Sequence, residues 1–131
     1  MKLLFTSSLF LCSFLLFSQE PIPIDPRLSA ALDQEYLERL QTENPFLLSR
    51  LHFYLDNAWY LSDYPEDKGA MDFPVVRIDN PESINILLLE KEQGLQKDFQ
   101  TQTVYSINGT RKVLIRRSGM EFNRMLNEHL H

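Results

Sequence analysis

The stretch FQTQTVYSINGTRKVLIRR, Phe99 to Arg117, decides the fold. Two runs rich in β-branched and aromatic residues flank Asn108-Gly109, the pair that best tolerates the positive backbone angles of a tight turn, so the stretch is predicted to be a β-hairpin. Loop length then sets which side chains share a face. A two-residue loop places Tyr105 opposite Lys112, whereas a three-residue loop of Asn108, Gly109 and Thr110 places Tyr105 opposite Val113 and Thr103 opposite Ile115. The longer loop gathers Phe99, Tyr105, Ile107, Val113 and Ile115 on one side. It leaves Gln100, Gln102, Ser106, Lys112 and Arg116 largely outward, and it is the register expected, because burial of one face fixes strand pairing.

Downstream of the hairpin, SGMEFNRMLNEHLH carries Ser118 with Glu121 three residues later, a capping box that opens a last helix. Met120 or Phe122, Met125 or Leu126, and Leu130 give that helix an inward stripe. Upstream, FPVVRI (Phe73 to Ile78) reads as a strand. INILLLE (Ile84 to Glu90) fits either a strand buried on both sides or a helix that begins at Asn80 and Pro81, since periodicity does not separate short apolar runs.

The first part of the mature chain is helical in pattern. Asp25-Pro26 reads as an N-cap and first helical residue, followed by Leu28, Leu32, Tyr36 and Leu40 at four-residue steps. Asn44-Pro45 restarts the same grammar, and a second helix is predicted from Pro45 to about Tyr60. The expected architecture is α+β. Two N-terminal helices precede a small antiparallel sheet of three to four strands with a C-terminal hairpin, and a final helix packs on the sheet.

MKLLFTSSLFLCSFLLFS at the N-terminus sets one lysine before an apolar run too short to span a bilayer, so residues 1–18 are expected to be a signal peptide removed near Ser18. Cys12, the single cysteine, falls inside that run, which leaves the expected mature chain without a disulfide, a thiolate metal site or a cysteine nucleophile. QEPIPIDP follows as an extended Pro-rich arm over residues 19–25, and residues 26–131 form one domain. The expected location is the periplasm or the exterior of the cell.

The chain carries 13 basic and 18 acidic residues, and loss of Lys2 with the signal peptide leaves 12 against 18, net −6. A mildly acidic protein is not expected to grip nucleic acid. The basic run TRKVLIRR divides over two strand faces instead of forming one patch.

HFYLDNAWYLSDYP, His52 to Pro65, is expected to be mostly core, with Trp59, Tyr60 and Tyr64 at a rim that recognises a partner. His52 and Asp56 lie one helical turn apart, which would suit a base and its orienting carboxylate. No nucleophile motif accompanies them, so a surface ion pair is the expectation and a hydrolase the remote alternative.

The acidic loop from Asp63 to Asp72 lacks the ligand spacing of a calcium site, and His129 and His131 with Glu128 sit on a helix end without further ligands; no metal and no cofactor is expected. Asn108-Gly109-Thr110 matches a glycosylation acceptor, which the hairpin turn explains more simply. The reading that follows is an exported, non-catalytic accessory protein of the bacterial cell envelope. It would bind another protein through the aromatic rim and through Ile22 and Ile24 of the arm. The alternative is a glycan-binding module built on Trp59, Tyr60 and Tyr64.

Overall fold

The computed structural model describes residues 20–64 and 73–131, so the predicted signal peptide and most of the acidic loop lie outside the described residues. The chain is α+β. In order it forms α1 (Pro26–Ala31), α2 (Gln34–Glu43), α3 (Pro45–Asn57), β1 (Trp59–Asp63), β2 (Val75–Val76), α4 (Ile86–Gln93), β3 (Thr103–Ile107), β4 (Lys112–Arg116) and α5 (Gly119–Leu130).

Caps explain the helix starts. Asp25 accepts from the Arg27 amide, Asn44 from Leu47, Asn85 from Leu88 and Ser118 from Glu121, each satisfying a first-turn N–H that has no partner within its helix. The four-residue apolar steps from Leu28 to Leu40 do not belong to one helix. Leu32 is extended, at φ −125° and ψ 159°, and Asp33 caps a new helix by accepting from the Tyr36 amide, so the pattern spans a break.

The predicted second helix ends at Asn57, not Tyr60, and Trp59 and Tyr60 begin a strand. Ile84 to Glu90 resolves as helix, but the start is Asn85-Ile86 and not Asn80-Pro81. Of Phe73 to Ile78, only Val75 and Val76 pair as strand.

The sheet runs β1-β4-β3-β2, antiparallel across the first three strands and parallel at β2. Tyr105 pairs with Leu114 and Thr103 with Arg116, so the hairpin loop holds four residues, Asn108 to Arg111, one more than expected. Gly109, at φ 68°, supplies the left-handed turn, and the Thr110 hydroxyl accepts from the Lys112 amide.

That extra residue turns β4 over. Leu114 and Arg116 join Tyr105 and Ile107 on the helix-covered face, whereas Val113 and Ile115 face the other way. Arg116 is therefore inward, contrary to the expectation, and is 7% exposed. Its guanidinium lies 6.0 Å from the Tyr54 ring centroid and donates to the Arg117 carbonyl.

Leu28, Leu37, Leu48, Leu55, Trp59 and Leu114 anchor a core that α5 enters through Phe122 and Leu126. Phe122 meets both Phe53 and Tyr54 of α3, at ring distances of 5.6 and 5.5 Å.

Phe99 was expected inside and is 61% exposed. It lies across the start of α5. The Asp98 and Phe99 carbonyls accept from the Gly119 and Met120 amides, completing the cap that Ser118 begins. A Cβ on Gly119 would sit 2.5 Å from Phe99 Cδ2 and 3.2 Å from Phe99 Cα.

Gly119→Ala should therefore destabilise by about 1–3 kcal/mol, the cost of forced overpacking, although alanine is the better helix former by about 1 kcal/mol. Urea unfolding checks it. The loss should shrink in a Phe99→Ala background, and an equal loss there would rule out the contact as its cause.

Candidate functional site

Among the described residues β1 lies at one edge of the sheet and pairs with β4 alone. The Arg117 amide donates to the Ala58 carbonyl, and the Tyr64 amide donates to the Arg111 carbonyl. Antiparallel ladders bond alternate residues, so Ala58, Tyr60, Ser62 and Tyr64 address β4. The N–H and C=O groups of Leu61 and Asp63 point away from the sheet. Among the described residues none donates to or accepts from them.

The opposite edge is treated differently. The Gln93 side chain of α4 accepts from the Arg77 amide at 2.9 Å and donates to the Arg77 carbonyl at 2.7 Å, covering the end of that edge with a side-chain amide in place of a strand.

Two hollows run along the open edge. One, of about 210 Å³, is lined by apolar residues that include Leu55, Trp59, Ile84 and Leu114, and by the polar Tyr60 and Glu82. A wider one, of about 620 Å³, is lined by Leu61, Pro81 and the charged Asp63, Glu82, Arg111 and Lys112. Leu61 is an aliphatic side chain 37% exposed between them. The sequence held little sign of this site, because Trp59 and Tyr60 continue the helical spacing of α3 and Ser62-Asp63 lack β-branched character.

The residues expected to bind a partner are dispersed. Trp59 is 6% exposed, with its indole N–H donating to Glu90 Oε1 at 2.7 Å, so it is core and not rim. Tyr60, half-buried on the other sheet face, lies under the Arg117 guanidinium at 4.4 Å. Tyr64 meets Phe73 edge-on at 5.8 Å.

Ile22 and Ile24 are half-buried against the core, and the Ile22 carbonyl accepts from the Gln41 side chain at 2.7 Å. The prolines of the arm face outward while its isoleucines face in. The arm is thus strapped to the domain.

His52 and Asp56 do not pair with each other. Asp56 takes the Arg27 guanidinium at 2.8 Å, and Arg27 also grips Asp25. His52 Nε2 accepts weakly from the Asp25 amide at 3.4 Å. Hydrogen bonding to Arg27 holds the Asp25 carboxyl below the usual carboxylate range, and Asp25, then Asp56, raises Arg27 in return. These charges fasten α1 to α3. The carboxylate that would orient a catalytic imidazole is engaged elsewhere.

A groove of about 370 Å³ does bring His129 near His52, but His129 stacks on Phe53 at 4.8 Å, and among the described residues no group of three His, Cys, Asp or Glu side chains could hold a metal ion.

The chemically richest cluster is internal. Glu90, on α4, receives the Tyr54 hydroxyl, the Trp59 indole N–H and Lys97 Nζ, the last at 2.7 Å, with its side chain only 9% exposed. Burial and the hydrogen bond to Glu90 raise the Tyr54 phenol. Burial alone would depress Lys97, but Glu90 and Tyr54 outweigh it and raise that ammonium. A carboxylate with three donors is satisfied, and it ties α3, α4, β1 and the segment after α4 together. No family model matches the chain, and neither a curated protein nor a solved structure does, so the open β1 edge and its two hollows stand as the site by geometry alone.

Proposed function

We propose that this chain is an exported, non-catalytic accessory protein of the bacterial cell envelope that binds another protein. The open edge of β1 carries the reading. A strand edge without a partner is an association surface in its own right, and this one, unpaired among the described residues, is flanked by hollows and an exposed leucine. The N-terminal sequence supports export. The catalytic alternative loses support where Asp56 pairs with Arg27, and the glycan alternative where Trp59 is buried.

Export and binding are tested together. Material recovered outside the cytoplasm should have an intact mass that begins near Gln19. The same chain, immobilised and exposed to native envelope extract, should retain one protein in stoichiometric amount, which after purification binds it with a saturable isotherm. Retention of no protein, with binding to a glycan array instead, would favour the glycan-binding reading.

A further inference from the structure

We propose that β1 takes an extended segment of its protein partner as an added strand, with one apolar side chain of that segment seated in the hollow lined by Pro81 and Ile84. This deepens the protein-binding reading and rests on it. The outward N–H and C=O groups of Leu61 and Asp63 recur every second residue, about 7 Å apart, a spacing of alternating donors and acceptors that another extended main chain matches.

Side-chain direction sets the pattern the segment must have. A residue opposite Leu61 shares its face and points toward the 210 Å³ hollow, which Leu55, Pro81, Ile84 and Leu114 line together with the polar Tyr60 and Glu82. Its neighbours point to the other face, beside Tyr60, Ser62 and the Arg117 guanidinium, where polar side chains are accommodated. Toward Asp63 the wider hollow offers charges of both signs. The segment thus reads as one apolar residue flanked by polar ones.

A second copy of β1 meets an obstacle that a lone strand does not. The Asn80–Ile84 segment walls this edge on the helix side. A two-fold axis normal to the sheet would bring both walls to the same side of the joint.

The test selects a random linear peptide library against the immobilised mature chain and follows the enriched peptide by titration. The Leu61 N–H faces outward, so Leu61→Pro removes it without taking a hydrogen bond from the β1–β4 ladder. Enriched peptides should carry the polar-apolar-polar pattern, and Leu61→Pro should weaken them by about tenfold or more, against a smaller loss for Leu61→Ala.

If Leu61→Pro does not fold, the wild-type chain is titrated with the peptide N-methylated at each position in turn, and alternate positions should abolish binding. Equal binding by Leu61→Pro, no enrichment, or tolerance of every N-methyl group would overturn strand addition. So would a dimer in sedimentation that Leu61→Pro dissociates while no peptide binds, since the edge would then serve a second copy. A protein partner that binds Leu61→Pro at full affinity would overturn strand addition alone and leave the protein-binding reading standing.

Discussion

Glu90→Ala should lower the unfolding free energy by about 2–4 kcal/mol, because it strands two hydrogen-bond donors held inside the fold. The Tyr54 hydroxyl and the Trp59 indole N–H would both lose their acceptor, and Lys97 its counter-charge. Lys97 is 47% exposed and can turn to water, whereas Trp59 is fixed by its place in β1 and its packing on Tyr105 at 6.0 Å. Most of the loss should therefore fall on the two aromatic donors.

Glu90→Gln, which keeps an acceptor oxygen, should cost about 1–2 kcal/mol. Trp59 is the only tryptophan, so its emission in urea titrations reports both stability and the loss of the bond. An alanine variant within half a kcal/mol of wild type would refute the structural role of the cluster.

The same cluster sets an alkaline limit. Tyr54 and Lys97 are both raised in the folded state, so each binds its proton more tightly there than in the unfolded chain. Stability from a raised group is complete below the unfolded value, 10.0 for Tyr54 and 10.5 for Lys97, and is lost as pH climbs through the folded value. Melting temperature should accordingly fall above about pH 10, and the Tyr54→Phe variant, lower at neutral pH, should fall less steeply there.

How much of this was legible in the sequence varies with the range of the interaction. Caps are local. Asp25, Asn44 and Ser118 each announce a helix by a side chain that bonds an amide two or three residues on, and the Asn108-Gly109 turn announces the hairpin. Asp33 was an available signal of the same kind, hidden because Leu32 and Tyr36 continue an apolar period across the break.

The hairpin register was missed by one residue. Counting apolar residues on a face assumes that charged ones stay outside, and Arg116 is held inside by the Tyr54 ring and the Arg117 carbonyl. Those partners belong to the fold and not to the local pattern. The Glu90 cluster unites residues 31 and 36 positions apart, and no periodicity carries that.

The N-terminal arm reverses an expectation drawn from its composition. Alternating prolines favour an extended, partner-seeking segment, and on that view its removal would leave stability unchanged. Instead the two isoleucines pack on the core while Gln41 holds the Ile22 carbonyl, and Asp25 at the end of the arm is locked by Arg27. Each half-buried isoleucine contributes about half of the 1.5–3 kcal/mol that full burial brings, and the Gln41 bond about 1 kcal/mol more. Deleting Glu20 to Ile24 should thus cost about 2–4 kcal/mol and lower the melting temperature by roughly 10 °C or more. The prolines keep this strap inexpensive, since they restrict the unfolded arm as well as the folded one. Pro21→Gly and Pro23→Gly should therefore weaken the domain slightly without exposing the core. Differential scanning calorimetry of the truncated chain decides the matter. A melting temperature unchanged from wild type would return the arm to the role of a free docking segment.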